Sequence, residues 1–246
     1  MAILITGGTK GIGLDIGKAF ARDASDVFLN YHADDAAAQD AAAQVSASGG
    51  QPRLIKADVG SPDGCAAMIA AIRQTTQRLD QIVHCAVDPY ATTALAADPA
   101  RFARAVTTNG ASLLFLVQAA LPLLARGSTV FFLTSRGGRV VVPNYVAIGV
   151  AKAMAESLMR YLAVELAPRG IRINAIAPGI VETDAVRTLF GADAGGLVRD
   201  SARHNPSGRG VAAADYTNLM RWLASPEAEF IQGQVVFVNG GANLSA

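Results

Sequence analysis

The segment Thr6-Gly7-Gly8-Thr9-Lys10-Gly11-Ile12-Gly13 follows an apolar, strand-like run at residues 2–6 and opens a helix-like run at residues 11–23. Glycines permit the sharp turn. They also let a pyrophosphate reach backbone N–H groups at a helix start, where larger side chains would block it. A glycine-rich loop held between an N-terminal strand and a helix therefore points to a bound dinucleotide on an open α/β sheet.

The rest of the chain repeats that rhythm. Strand candidates lie at residues 2–6, 26–31, 53–57, 81–86, 129–134, 171–176 and 234–238, most of them unbroken apolar runs. Such runs suit parallel strands covered on both faces. Helix candidates lie near 11–23, 34–48, 62–78, 98–125, 145–167 and 212–224. This alternation predicts right-handed crossovers and an α/β fold, a single Rossmann-type doubly wound seven-stranded parallel sheet. Ligands on such sheets bind beyond the carboxyl ends of the strands. All 246 residues are expected to form one domain. Residues 184–210 break the rhythm with Gly191, Gly195, Gly196, Pro206, Gly208 and Gly210, and are expected to form a substrate lid containing one or two short helices.

A net charge of +1 with no basic block argues against nucleic acid or an anionic membrane as partner. The first strand begins at once, leaving no room for a signal peptide, and no apolar run is expected to reach membrane-spanning length. A cytoplasmic protein is expected, with Cys65 and Cys85 as free thiols. His32, His84 and His204 have no metal-like spacing, so no metal site is expected.

The Gly-x3-Gly-x-Gly spacing resembles that of the short-chain dehydrogenase/reductase family, and the resemblance covers essentially the whole length. Asp58-Val59 matches the family's adenine-binding Asp, Asn109 its structural and proton-relay Asn, and Ser135 its catalytic Ser at the end of the fifth strand. Lys152 matches its helical Lys. Pro178, Gly179, Ile180 and Thr183 match the segment on the nicotinamide side. Where the family has Asn-Asn-Ala-Gly, this chain reads His84-Cys85-Ala86-Val87. A buried, packed Cys85 and a hydrogen-bonded His84 are expected there, with Ala86 small enough for a cofactor to approach.

The family's Tyr-x3-Lys is absent, since Ile148 stands four before Lys152, but Tyr145 stands seven before it. In a helix seven residues turn about 700°, bringing Tyr145 within roughly 20° of the Lys152 face, some 10.5 Å along the axis. In carbonyl reduction the acid sits beside the carbon that receives hydride. In conjugate reduction the charge develops on an oxygen several bonds away, and the acid must stand there. Tyr-x6-Lys, continuing through Arg160-Tyr161-Leu162-Ala163-Val164-Glu165-Leu166, is similar to the enoyl-acyl-carrier-protein reductase III type. The resemblance implies reduction of a trans-2-enoyl thioester, with catalytic roles for Tyr145, Lys152, Ser135 and Asn109. A carbonyl or 3-oxoacyl reductase and a non-catalytic dinucleotide sensor remain alternatives.

The expected cofactor site comprises Gly7, Thr9, Lys10, Gly11, Ile12, Gly13, Asn30, Tyr31, His32, Asp58, Val59, Cys85, Ala86, Lys152, Pro178, Gly179, Ile180 and Thr183. The second strand ends without an acid, and Lys10 sits in the loop, which favours NADPH over NADH; Ala33, Asp34 and Asp35 argue the other way. Expected partners are an acyl thioester on a carrier protein or coenzyme A, and other copies of the chain. The helices at 98–125 and 145–167 are too apolar to be left uncovered. A dimer or tetramer is expected.

Overall fold

The computed structural model describes residues 1–24, 26–242 and 244. Strands β1 (Ala2–Thr6), β2 (Asp26–Tyr31), β3 (Pro52–Lys56), β4 (Gln81–His84), β5 (Thr129–Leu133), β6 (Arg172–Pro178) and β7 (Val235–Val238) form one sheet in the order β3-β2-β1-β4-β5-β6-β7. Every neighbouring pair is parallel. The order reverses between β1 and β4, and such a switch opens a crevice at the strand ends.

Helices α1 (Gly11–Phe20), α2 (Asp35–Ala47) and α9 (Ala213–Ala224) lie with one face of the sheet. Helices α3 (Pro62–Arg73), α5 (Ser112–Ala120) and α6 (Val146–Leu166) lie with the other. Helices α4 (Pro99–Val106), α7 (Asp184–Phe190) and α8 (Ala194–Arg203) complete the helical set described. Alternate strand residues feed the two cores: Leu4, Ile82 and Phe132 enter one, Ile3, Val83 and Phe131 the other. Burying each such side chain contributes on the order of 2 kcal/mol. Helix starts are fixed locally by side-chain acceptors. Asp34 accepts from Ala37, Ser61 from Gly64 ahead of Pro62, and Asp98 from Arg101 ahead of Pro99.

The structure corrects three readings. The single helix expected over 98–125 is broken by a π-helical turn at Thr107–Ala111. The cause is tertiary. The Asn109 amide donates to the Asp88 carbonyl and its oxygen accepts from the Asp88 N–H, both at 2.9 Å. Gly110 also lies so close to α6 that a Cβ there would be 2.7 Å from the Ala151 carbonyl. The extra residue in the turn turns Asn109 toward the loop after β4.

Secondly, Pro99–Leu123, taken through that π-helical turn, gives 25 helical residues that reach membrane-spanning length and apolar composition, where no apolar run of that length is expected. Here Leu113, Leu116, Val117 and Ala120 pack into the core, with Asn109 and Ser112 fully buried.

Thirdly, β4 stops at His84 rather than at residue 86. The Cys85 N–H is shared between the Thr6 carbonyl and the Thr6 hydroxyl, each at 3.2 Å, and the Ala86 N–H donates to that hydroxyl at 3.3 Å, where the ladder ends. Thr6 is itself held by His84. Ser112 Oγ donates to the Thr108 carbonyl and so must accept from His84 Nε2, at 2.6 Å. That assigns Nδ1 as the acceptor from Thr6 Oγ1, at 3.1 Å. Burial, reinforced by the Lys152 charge, pushes the His84 pKa down to about 3 and keeps the ring neutral.

Candidate active site

A cleft of about 800 Å³ opens at the carboxyl ends of the strands, around the β1/β4 switch. The glycine loop forms one side. A Cβ on Gly7 would lie 2.8 Å from the Ala86 Cα, and one on Gly13 would lie 2.3 Å from the Gly7 carbonyl oxygen. The loop thus requires glycine to fold against β4 and against its own helix. Lys10 caps α1 without any side-chain hydrogen bond to the first-turn N–H groups. Those donors, with the positive end of the helix dipole, suit a phosphate.

Gly7, Thr9, Lys10, Gly11, Ile12, Asn30, Tyr31, His32, Asp58, Val59, Cys85, Ala86 and Thr183 all line this cleft, as do Ser135, Tyr145 and Lys152. Gly13, Asn109, Pro178, Gly179 and Ile180 do not line it. Gly13 supports the loop from behind, Asn109 clamps Asp88, and the Gly179 N–H donates to the Val238 carbonyl at 2.8 Å. Asn30 reaches the cleft, but its amide is used by the Ile55 and Ala57 carbonyls of the neighbouring strand. Burial pushes the Cys85 thiol up to about 11, which leaves it protonated and inert at neutral pH.

Tyr145 does not belong to the helical stripe that sequence geometry assigned to it. It is the N-cap of α6, with φ −111° and ψ 8°. Asn144 before it adopts the left-handed φ of 57°, and the Thr92 N–H donates to the Asn144 carbonyl at 3.0 Å. A strained backbone and a bridge to the loop after β4 therefore aim the ring, not helical phase. The ring rests against Gly137, where a Cβ would come within 2.6 Å of two ring carbons. Its hydroxyl-bearing ring shares the cleft with Ser135. Burial raises the phenol's pKa and the nearby Ser135 hydroxyl opposes that rise. Ile148, the residue four before Lys152, is fully buried and does not line the cleft.

The Lys152 ammonium is buried, donates to the Leu133 carbonyl at 2.7 Å and sits 4.4 Å from the centre of the Phe132 ring. Burial lowers its pKa to about 8, and the Glu156 carboxylate pulls the other way. Glu156, one turn on, accepts from the Thr134 hydroxyl at 2.7 Å.

The profile of the family described as enoyl-(acyl carrier protein) reductase matches residues 7–243 of this chain. The chain belongs to this short-chain dehydrogenase/reductase family. Its relatives within and around the enoyl reductase group include the 1-cyclohexenylcarbonyl-CoA reductase of Streptomyces collinus, 29% identical over 99% of this chain and 87% of that one. The enoyl-[acyl-carrier-protein] reductase [NADH] 2 of Rhizobium meliloti is 33% identical over 77% of this chain and 70% of that one. Among solved structures, a short chain dehydrogenase from Burkholderia cenocepacia in complex with NADP superposes with a TM-score of 0.87 and is 26% identical, covering 98% of this chain and 97% of that one.

This enoyl reductase family member also lines its cleft with residues that sequence reasoning passed over. Thr134, Asp88, Thr108 and Arg104 are among them. Gly137, which makes room for the Tyr145 ring, has only the pair Gly137-Gly138 after a strand-end serine as its sequence signal.

Proposed function

We propose that the protein reduces the 2,3 double bond of a trans-2-enoyl thioester, using NADPH in preference to NADH. One observation carries the reading. The phenol that shares the cleft with Lys152 and Ser135 is Tyr145, while the position four before Lys152 is a buried isoleucine. The residues present fit a dinucleotide. The glycine cradle leaves no room for a Cβ at Gly7 or Gly13, and the uncapped start of α1 suits a pyrophosphate.

A reduced nicotinamide, when bound, supplies hydride to the β carbon of the substrate. Tyr145 donates a hydrogen bond to the thioester oxygen and stabilises the negative charge that develops there. Ser135 orients that phenol. Lys152 would hold a positive charge in the same cleft, favour the polarised state of Tyr145, and bind the ribose hydroxyls of the dinucleotide. Asn109 acts through the backbone at Asp88, fixing the loop after β4 that faces the substrate. Lys10 would be the cation available to a 2′-phosphate. Residues 184–210 close as a lid, hinged at Thr183, whose hydroxyl caps α7.

The acyl group arrives on a carrier protein or on coenzyme A, in the cytoplasm, and the 246 residues act as one domain. The working form is a homo-oligomer, a dimer or tetramer. Val150, Met154, Tyr161 and Val164 leave an apolar stripe on α6 that is 36–75% exposed. Sedimentation as a monomer at micromolar concentration would overturn that assembly.

The activity is tested by following nicotinamide absorbance with crotonyl and acetoacetyl thioesters. Oxidation of NADPH by the crotonyl thioester, with the acetoacetyl thioester slower, is the expected result. The opposite order moves the assignment to carbonyl reduction. Tight cofactor binding with neither substrate turned over moves it to a sensor.

A further inference from the structure

Lys10 is not a free cation waiting for a phosphate. Its ammonium stands 2.5 Å from Asp34 and 3.8 Å from Asp184, and all three side chains line the cleft beside Tyr31 and His32. The adjacent carboxylate, Asp35, is committed elsewhere. It takes the Lys56 ammonium at 2.7 Å and the Tyr31 hydroxyl at 2.8 Å, so Lys56 is committed too. Asp184 is shared with Arg187 at 3.1 Å, so Asp34 is the carboxylate that holds Lys10 at close range, at the end of the cleft formed by the glycine loop and the end of β2.

A ribose 2′-phosphate carries close to two negative charges at neutral pH. To meet Lys10 it must displace Asp34 and then lie beside the carboxylate it displaced. A 2′-hydroxyl faces neither cost. Resting on the dinucleotide reading above, we propose that Asp34 is a specificity-determining residue, which competes with a 2′-phosphate for Lys10 and so restrains the preference for NADPH.

The magnitude follows from exposure. Lys10 and Asp34 are 45% and 51% exposed, so breaking their pair shifts an equilibrium by up to roughly fivefold. Relief of the repulsion between Asp34 and the phosphate adds to this, for about tenfold in all.

Asp34→Asn is the clean variant. Asp34 is the N-cap of α2, accepting from the Ala37 N–H at 3.0 Å, and asparagine caps about as well as aspartate. The dissociation constants of NADPH and NADH are measured on the purified full chain by fluorescence titration, with no acyl substrate present. The expected result is NADPH binding about tenfold tighter in Asp34→Asn, NADH within about twofold of the parent, and a smaller NADPH gain at 0.5 M salt than at 0.05 M. In a Lys10→Met background, Asp34→Asn should give a clearly smaller gain, because only the repulsion remains to be relieved. Unchanged NADPH affinity overturns the proposal. So does a matching loss for NADH, which would make Asp34 the acceptor for the ribose hydroxyl. Binding of neither dinucleotide overturns both this and the cofactor reading. Failure to reduce an enoyl thioester touches only the proposed reaction.

Discussion

Replacing Tyr145 with Phe is expected to lower turnover of a crotonyl thioester by 100-fold or more, while the dissociation constant of the dinucleotide changes by less than about twofold. The substitution keeps the ring that fills the space beside Gly137 and removes only the hydroxyl that shares the cleft with Ser135. Fold and cofactor site are therefore retained, and the loss reports the proton and charge handling alone. Ile148→Tyr, which restores the commoner family spacing, does not rescue it, because position 148 is buried in the core and away from the cleft. Full turnover in Tyr145→Phe would remove Tyr145 from the chemistry.

Lys152 gives the second large effect, and it separates activity from stability. Burial brings the ammonium's pKa down to about 8, against 10.5 in the unfolded chain. The charged form is the one proposed to act, so kcat/KM for the free enzyme should be full below that value and fall about tenfold per pH unit above it. Stability runs the other way. The folded state binds this proton less tightly than the unfolded state, so the charged lysine costs roughly 3 kcal/mol at neutral pH, a cost that fades as pH rises from about 8 to 10.5. Its bond to the Leu133 carbonyl and its place over Phe132 offset part of that cost. Lys152→Met should therefore be at least as stable as the parent by thermal unfolding, yet lose on the order of 100- to 1000-fold in turnover. A pH profile flat to 9.5, or a Met variant that keeps its rate, would show that the buried charge is not used.

Most of the scaffold was legible because its signals are local. Apolar runs of strand length and the glycine loop each depend on a few adjacent residues. Element ends were less legible. The end of β4 depends on the Thr6 hydroxyl, which accepts from the Cys85 and Ala86 N–H groups 79 and 80 residues away in sequence. The break in the 98–125 helix depends on Asn109 meeting Asp88 and on Gly110 meeting Ala151, which no periodicity reveals.

The candidate site divides in the same way. The seven-residue interval between Tyr145 and Lys152 picked out two side chains that do line one cleft, although the helical argument behind it was wrong in detail. Tyr145 stands just outside the helix, and the left-handed turn at Asn144 aims it. Lys10 read as a cation for phosphate, and only the fold brings Asp34 and Asp184 against it.

By itself the sequence determined the architecture and the residue types available for chemistry, because backbone geometry and side-chain burial repeat with short periods that neighbouring residues set. The fold alone decided which charges are already neutralised, which pKa values shift and which hydroxyl faces the cleft. Those properties depend on distances of a few ångströms between groups far apart along the chain, and electrostatic energies change steeply over such distances once water is excluded.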